Sequence, residues 1–313
     1  MAGTMLSKRR LGRTGFQVTA LGLGGAGLAR TSEGFTDDLA VATVHHALEL
    51  GINVIDTAPM YGESQRRIGI ALQEWCRQGG CRKDLVISTK TGRNADGTKG
   101  YSAEWTRRSV EESLRLLRTD YIDILLVHDP DGLDPVFARG GALEALQDLK
   151  QEGVIRAIGL GARPHDFHRR CIESGQFDLS LTFCDYNLLD QSAAQGVIEP
   201  AAGHGVGVYN GAAVMLGLLG GDDPREVGPK LGGFASEIRM QRVCAIWDWC
   251  RERGVSLLAL NLQLCLREHR IASTLVGAAS PAEIEADISA AAEDIPAEIW
   301  EGLHERFDVD VEA

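Results

Sequence analysis

Eight short and mostly apolar runs alternate along this chain with segments of helical periodicity. Apolar runs of this length are typical of strands in a parallel sheet, and the helical segments between them are typical of crossover connections. The predicted strands lie near residues 19–23, 52–55, 85–89, 122–127, 155–160, 179–183, 206–209 and 273–276. Eight β/α units close into a barrel more readily than they divide into domains. The sequence therefore predicts an α/β fold, a (β/α)8 TIM barrel forming a single domain over residues 1–313.

Three of the predicted helices keep apolar side chains on one face, and two segments, residues 7–18 and 217–233, break the β/α rhythm. The helical faces consist of Val41, Val44 and Leu48, of Val110, Leu114 and Leu117, and of Leu143, Leu146 and Leu149. Residues 7–18 predict an N-terminal β-hairpin that turns at Arg13-Thr14-Gly15. The glycine-rich run Gly22–Gly27 predicts a tight first loop. Residues 217–233, also rich in glycine, predict a mobile loop over a ligand or, alternatively, an ordinary surface connection.

Composition narrows the classes of partner. The net charge of −12 argues against nucleic acid and against anionic membranes, both of which attract Lys and Arg patches. A small-molecule substrate is compatible with it, and the oligomeric state is not indicated. The seven cysteines are odd in number and show no C-x-x-C spacing, which favours reduced thiols and a cytoplasmic protein. We expect no signal peptide and no membrane span, because no apolar run has the necessary length or position.

Polar side chains stand where three predicted strands end. Asp56 ends the second run, Lys90 ends the third, His128 ends the fourth, and Tyr61 follows Asp56 by five residues. In an α/β barrel these ends meet at the C-terminal face, so an Asp, a Tyr, a Lys and a His gathered there would form a proton-transferring site. No metal site is predicted: the pair His165-x-x-His168 lacks a third ligand with suitable spacing and is interpreted as a solvated helix start.

Several blocks of the sequence, in order, resemble the aldo-keto reductase superfamily. The matching blocks are Arg10-Leu-Gly-Arg-Thr-Gly, Gly51-Ile-Asn-Val-Ile-Asp-Thr-Ala-Pro-Met-Tyr-Gly-Glu-Ser, Leu85-Val-Ile-Ser-Thr-Lys90, Thr119-Asp-Tyr-Ile-Asp-Ile-Leu-Leu-Val-His128 and Gly153-Val-Ile-Arg-Ala-Ile-Gly159. Together they cover most of the chain. The resemblance implies a barrel that binds NAD or NADP without a Rossmann domain, and no dinucleotide fingerprint in a strand-turn-helix context contradicts it.

The resemblance also implies a catalytic tetrad of Asp56, Tyr61, Lys90 and His128. Tyr61 would act as general acid in reduction and general base in oxidation. A tyrosine ordinarily has a pKa near 10, and we expect the Lys90 ammonium to lower that pKa by stabilising the phenolate. Asp56 would pair with Lys90, and His128 would orient the substrate oxygen by a hydrogen bond. Positioned proton transfer of this kind accelerates a reaction by roughly 10²–10⁴-fold.

The predicted cofactor contacts also follow from the resemblance. Tyr209 would stack on the nicotinamide ring. The segment containing Asn210, Gly211, Gly217 and Leu218 would run along the pyrophosphate. The last cofactor segment holds Gly277, Ala278, Ser280, Glu283 and Asp287. This last segment contains no basic residue, and Glu283 would repel a 2′-phosphate, so NAD is expected in preference to NADP.

The chain departs from the family pattern at the carboxamide clamp. Gly161-Ala162 stands where many members have Ser-Asn, and Phe183 stands at a frequent Gln position. Asp185, Asn187 and Asn210 are the candidate replacements.

The pattern resembles the aldose, L-galactose and L-fucose dehydrogenase branch, which implies NAD(P)-dependent hydride transfer with a sugar or a related carbonyl/alcohol pair. Three alternatives remain open: an NADPH-dependent aldehyde reductase, a barrel aldolase that forms a Schiff base at Lys90, and a nucleotide-binding regulatory barrel. Substrate contacts are expected from residues 26–35, 92–101 and 129–140 and from the C-terminal tail.

Overall fold

The structure, a computed structural model, describes residues 6–32 and 34–311. Residues 1–5, residue 33 of the first predicted substrate loop and residues 312–313 of the predicted tail lie outside the described residues. The chain begins with an antiparallel hairpin of β1 (Lys8–Arg10) and β2 (Gln17–Thr19), which confirms the predicted hairpin. Gly12 and Gly15 have φ angles of 48° and 81° in its turn, a conformation that favours glycine.

Eight parallel strands close into a barrel, as predicted. They are β3 (Leu21–Gly24), β4 (Val54–Asp56), β5 (Val86–Thr91), β6 (Ile122–His128), β7 (Ile155–Gly161), β8 (Leu179–Phe183), β9 (Gly207–Gly211) and β10 (Ser273–Val276). Each strand pairs with its neighbours in sequence, and β10 closes the barrel against β3. The second barrel strand was predicted to begin at residue 52, and β4 begins two residues later, at Val54. The Asn53 side chain accepts a hydrogen bond from the Thr19 N–H at 2.7 Å, which ties that segment to the hairpin.

Twelve α-helices occur in the described part of the chain. Their bounds are α1 (Asp37–Glu49), α2 (Ser64–Arg77), α3 (Ala103–Leu117), α4 (Asp134–Phe137), α5 (Ala142–Gln151), α6 (His165–Glu173), α7 (Glu199–Gly203), α8 (Pro224–Val227), α9 (Glu237–Glu252), α10 (Leu257–Arg267), α11 (Pro281–Ala291) and α12 (Ala297–Phe307). Several begin after a Ser or Thr whose hydroxyl accepts a backbone N–H in the first turn, which satisfies a donor the helix itself leaves free. Thr36, Ser102, Ser236, Ser256 and Ser280 act in this way.

The core forms in two layers, inside the barrel and between the barrel and its helices. The interior layer includes Ile124, Leu126 and Leu181, and Leu11 of the hairpin packs into the same cluster near the N-terminal ends of the strands. The helical faces predicted from α1, α3 and α5 pack against the outside of the sheet. The N-terminal end of the barrel is therefore filled with apolar side chains, and the opposite end is available for a polar site.

The predicted tight first loop is confirmed. A Cβ atom on Gly25 would lie 2.8 Å from the Asp56 carbonyl oxygen, and one on Gly27 would lie 2.5 Å from the Gly277 carbonyl oxygen, so this backbone packs closely against the ends of β4 and β10. The glycine-rich segment 217–233 contains α8 and a 3₁₀ helix at Gly228–Phe234; its mobility stays a prediction. None of the described helices has the length and hydropathy needed to cross a membrane.

Candidate active site

Three neighbouring strands bring Asp56, Lys90 and His128 together at the C-terminal end of the barrel, which we call the mouth. Asp56 is the last residue of β4 and lies in register with Ser88 of β5. Lys90 lies two residues further along β5, in register with Leu126, and His128 ends β6. Tyr61 comes from the loop between β4 and α2, and its ring lies edge-on to the His128 ring with centroids 5.9 Å apart. The four residues predicted as a unit therefore lie together.

Lys90 is almost fully buried and has a complete set of partners. Its ammonium donates to the Asp56 carboxylate at 2.5 Å and to the Thr57 carbonyl oxygen at 2.8 Å. It also lies 4.9 Å from the centroid of the Tyr61 ring. The other oxygen of Asp56 accepts from the Ser88 hydroxyl at 2.7 Å. Burial opposes the charge, but Asp56 and Tyr61 raise the pKa of Lys90 above its ordinary value, so Lys90 is an ammonium at neutral pH.

The pKa of Tyr61 corrects an expectation from the sequence. Lys90 does lower the pKa of Tyr61, as expected, but burial of the phenol raises that pKa by more, and the charges of Asp56 and Asp129 raise it further. The net shift is upward, so the phenol is protonated at neutral pH. Sequence reasoning included the cation and omitted the desolvation that comes with a site at the end of a closed barrel.

His128 is a neutral imidazole in this site. It is 7% exposed, and burial together with the charges of Lys90 and Arg93 lowers its pKa to about 2. Its Nδ1 is buried and has no hydrogen-bond partner among residues 6–32 and 34–311. A neutral ring beside Tyr61 can hydrogen-bond a substrate oxygen through a ring N–H without adding a charge to the mouth.

The placement of β9 corrects two predicted cofactor contacts. This strand runs to Gly211, beyond the predicted end at residue 209, so Tyr209 lies one layer inside the barrel. Its side chain is 0% exposed and packs in the interior cluster, which is at odds with stacking on a ring at the mouth. Asn210 points outward to the helix layer, where its amide donates to the Tyr186 carbonyl oxygen at 3.0 Å. Leu218 is likewise buried in the core.

The residues between Gly211 and Gly217 remain at the mouth. Gly211 ends β9, and a Cβ atom there would lie 3.0 Å from the Thr182 carbonyl oxygen. Ala212, Met215 and Leu216 all have positive φ angles, between 50° and 57°, which is uncommon for residues with a side chain and marks a constrained turn. Within this turn the Leu216 side chain is exposed and that of Met215 is buried.

The end of β10 and the start of α11 offer an open surface with a negative side chain. Gly277 is exposed, and a Cβ atom there would meet no heavy atom within 4 Å, so a ligand has room to approach its backbone. The Ser280 hydroxyl caps α11, and the Glu283 carboxylate accepts from the Ala279 N–H at 2.8 Å. Arg30 lies 3.8 Å from the same carboxylate. Ala278 is buried in the core.

Asp287 lies one turn along α11 from Glu283, on the side of the helix that packs inward. It is 9% exposed, and burial together with the charge of Glu283 raises its pKa to about 7. Its predicted contact with a cofactor therefore requires a ligand that reaches a largely buried carboxyl group.

The three candidates for a replacement clamp are occupied by other contacts. Asp185 accepts from the Thr182 hydroxyl at 2.5 Å and lies 2.8 Å from His165 Nε2. Asn187 accepts from the Leu189 N–H within a turn, and Asn210 faces the helix layer as described. Each of them also keeps one buried polar atom without a hydrogen-bond partner among the described residues, namely Asp185 Oδ1, Asn187 Nδ2 and Asn210 Oδ1, so the replacement clamp stays a prediction.

The interpretation of His165 and His168 as a solvated helix start was half right. His165 does begin α6. His168, however, is 0% exposed, its Nε2 lies 2.9 Å from the Ala162 carbonyl oxygen, and burial lowers its pKa. His168 lies three residues after His165 on the amphipathic helix α6, on the face that packs toward the sheet.

Sequence reasoning missed four residues around the tetrad. Ser88 and the Thr57 carbonyl hold Asp56 and Lys90, whereas Arg93 and Tyr101 bind the backbone that follows His128. Ser88 lies two residues before Lys90 on β5, and side chains with that spacing face the same side of a strand, so a signal for it existed. The other contacts depend on loop conformation and carry no comparable sequence signal.

Comparison with known proteins agrees with the fold and identifies the family. The model of the Aldo/keto reductase family matches residues 20–305. The chain is 34% identical to L-galactose dehydrogenase from Arabidopsis thaliana, over 93% of this chain and 89% of that protein. It is 32% identical to D-threo-aldose 1-dehydrogenase from a Pseudomonas species, over 93% and 94%. A solved aldo-keto reductase from Bacillus halodurans, in its holo form, superimposes with a TM-score of 0.74 at 27% identity, over 96% of both chains.

The protein belongs to the aldo/keto reductase family and is an NAD(P)-dependent oxidoreductase.

Proposed function

We propose that this protein oxidises an aldose or a closely related alcohol with a nicotinamide cofactor, and that Tyr61 is its general base in oxidation and general acid in reduction. The observation that carries this proposal is the contact chain Asp56–Lys90–Tyr61 beside a neutral His128 at the mouth. The two most similar relatives named above, which act on L-galactose and on D-threo-aldoses, support a sugar as substrate.

The cofactor supplies the hydride acceptor in oxidation and the hydride donor in reduction. The exposed Gly277 backbone fits its approach, because a ligand there would meet no heavy atom within 4 Å of a Cβ position. His128 would hydrogen-bond the substrate oxygen and hold it against the Tyr61 hydroxyl. In oxidation the phenolate of Tyr61 takes the hydroxyl proton, and Lys90 stabilises that phenolate while Asp56 holds Lys90 in place.

Contacts of Lys90 argue against a Schiff-base aldolase. An amine nucleophile must be neutral, and enzymes achieve this by lowering the lysine pKa. Here the pKa of Lys90 is raised, and the ammonium is held by Asp56 and the Thr57 carbonyl. Borohydride trapping with an aldose should therefore leave Lys90 unmodified, and a covalent adduct at Lys90 would favour the aldolase.

For the cofactor, the environment of Glu283 supports NAD in preference to NADP. Its carboxylate already occupies the Ala279 N–H near the start of α11, a position that would otherwise attract an anion. Two unit charges about 4 Å apart in water repel by about 1 kcal/mol. Arg30, 3.8 Å away and about half exposed, offsets part of this repulsion, so we expect a preference of several-fold rather than exclusion of NADP. The seven cysteines, all free, support the further proposal of a cytoplasmic location.

A screen of reduced-nicotinamide absorbance tests the proposed function. Aldoses and simple aldehydes would be assayed in both directions with NAD(H) and NADP(H). We expect oxidation of at least one aldose with NAD⁺. Turnover of simple aldehydes alone, with NADPH and with no aldose accepted, would identify the protein as an aldehyde reductase. Tight cofactor binding without any turnover would favour the regulatory barrel.

A further inference from the structure

Asp129, the residue after His128, is held in a backbone conformation that is unfavourable for it. Its φ angle is 39°, in the left-handed region. The backbone is fixed on both sides: the Asp129 N–H donates to the Gly161 carbonyl oxygen at 2.8 Å, and the Asp129 carbonyl oxygen accepts from Arg93 Nε at 2.8 Å and from the Tyr101 hydroxyl at 3.1 Å. Neighbouring elements therefore impose the conformation, and the direction of the side chain is set with it.

The carboxylate of Asp129 lacks a hydrogen-bonding or ion-pairing partner in the described part of the chain. Within residues 6–32 and 34–311 it makes neither a hydrogen bond nor an ion pair, although it is only partly exposed. Arg93, whose pKa the charge of Asp129 helps to raise, forms its ion pair with Asp131, and so does Lys99. An unpaired carboxylate that is partly removed from water is costly unless something else binds it.

This carboxylate shares the mouth with the proton-transferring group. It directly follows His128, whose ring lies against Tyr61, and its charge raises the pKa of both Tyr61 and Tyr101. An ionised carboxylate only accepts hydrogen bonds, and hydrogen bonds from hydroxyl groups to it are among the stronger ones. A substrate oxygen held by His128 would place the next carbon of the substrate near Asp129.

We propose that Asp129 is a specificity-determining residue whose carboxylate accepts a hydrogen bond from the substrate hydroxyl on the carbon next to the reacting carbon. This inference rests on the proposed function and names the substrate feature that the site reads. The site then selects polyhydroxylated substrates over simple aldehydes and over deoxy sugars that lack that hydroxyl. A site that hydrogen-bonds a substrate hydroxyl rejects the analogue without it, because its own polar group is left unpaired.

The left-handed backbone conformation at Asp129 determines which substitutions are suitable tests of the proposed hydrogen bond. Glycine adopts a φ of 39° without strain, so Asp129→Gly removes the carboxylate and relieves the backbone. Asparagine also tolerates this region, so Asp129→Asn keeps the shape and one acceptor oxygen while removing the charge. Asp148→Asn is the matched control: it removes the same charge from a carboxylate of α5 that is exposed and paired with Arg107.

The experiment measures kcat/KM of each variant with an aldose, with its 2-deoxy analogue and with an unhydroxylated aldehyde. For Asp129→Gly we expect a loss of at least about tenfold with the aldose, mainly in KM, and a change below about threefold with the other two substrates. The preference for the aldose over the other two substrates should fall less in Asp129→Asn than in Asp129→Gly, and it should stay unchanged in Asp148→Asn. The apparent pKa of Tyr61 in the oxidation profile should also fall in Asp129→Gly, because a nearby negative charge is removed.

Two results would overturn the inference. One is equal loss on all three substrates, which would give Asp129 a structural role. The other is an unchanged ratio of aldose to deoxy-aldose turnover in Asp129→Gly. Failure of the proposed function is a separate observation, since it appears in the wild-type protein as absence of turnover with every aldose. The wild-type panel is therefore measured first, and the variants are compared with it substrate by substrate.

Discussion

Each end of this barrel buries a carboxylate with a basic partner. The two arrangements differ in the groups that lie next to the ion pair. At the N-terminal end, Asp123 is 0% exposed and binds Arg82 at 2.8 Å and Arg156 at 3.0 Å, while the Ile87 N–H donates to it at 2.9 Å. At the mouth, Asp56 binds Lys90, and the same ammonium continues to Tyr61.

The difference separates a structural ion pair from the one that we propose takes part in proton transfer. Both oxygens of Asp123 have partners, and the remaining polar atoms of those partners contact the backbone or solvent. The ion-pair cluster is therefore self-contained. The pair at the mouth ends on a phenol, beside a neutral imidazole with a free nitrogen and an unpaired carboxylate at Asp129. An unsatisfied group does not by itself separate the two ends, because the Tyr121 hydroxyl beside Arg82 and Arg156 also lacks a partner among the described residues. The mouth differs because its phenol also lies against a neutral imidazole.

The largest expected effect at the mouth comes from Tyr61→Phe. Loss of the proton donor should reduce kcat by about 10²–10⁴-fold while leaving cofactor affinity nearly unchanged. Steady-state kinetics and cofactor titration check both parts. Tyr121→Phe is the control, because the Tyr121 hydroxyl is buried without a partner among the described residues and lies at the N-terminal end of β6. A loss below about tenfold in Tyr61→Phe would remove the phenol from the mechanism.

At the opposite end, Asp123→Asn should destabilise the fold and spare the chemistry. Breaking a buried ion pair by removing one partner costs about 3–5 kcal/mol. We expect the free energy of unfolding in urea to fall by this order, while kcat per folded molecule at low temperature stays within about twofold. If Asp123→Asn lost activity as Tyr61→Phe does, the division between the two ends would be wrong.

Lys90→Met should shift the pH dependence of oxidation rather than only lower its maximum. Lys90 lowers the pKa of Tyr61 against the effect of burial, so its removal raises that pKa further and moves the rise in oxidation rate to higher pH. Each unit of pKa is a tenfold loss at a fixed neutral pH. Since the single variant leaves Asp56 buried and unpaired, the double variant Asp56→Asn with Lys90→Met is measured beside it. An unshifted profile in both would contradict the coupling.

The smallest effect is expected for the cofactor preference. Glu283→Ala removes the charge near the start of α11 and frees Arg30, so kcat/KM with NADP⁺ should rise by several-fold relative to NAD⁺. Glu285→Ala on the same helix is the control, because Glu285 pairs with His46 instead. Equal use of both cofactors by the wild-type protein would already refute the charge argument.

Much of this site is predictable from sequence, because parallel strands of a barrel end at one face. Asp56, Lys90 and His128 each follow an apolar run, and that rule places them together without knowledge of any distance. Tyr209 and Asn210 were misplaced because β9 continues to Gly211. Alternation along a strand then decides which side chain faces inward, and the predicted end was two residues too early.

Other features depend on three-dimensional surroundings and leave no local pattern. The upward shift in the pKa of Tyr61 comes from burial by several segments of chain. The left-handed backbone of Asp129 is imposed by Gly161, Arg93 and Tyr101, which are far from it in sequence. The burial of His168 likewise reflects the turn of α6 against the sheet.

The pH–rate profiles of the wild-type protein in both directions test the central claim most directly, with a substrate deuterated at the reacting carbon to show that hydride transfer limits the rate. Because the pKa of Tyr61 is raised, oxidation should accelerate tenfold per pH unit through the neutral range and reach no plateau below the ordinary tyrosine pKa near 10. The rate of reduction should be independent of pH over the neutral range. With the pKa of His128 lowered to about 2, neither profile should show an inflection near 6.5. An oxidation rate independent of pH, or an inflection near 6.5, would contradict the account.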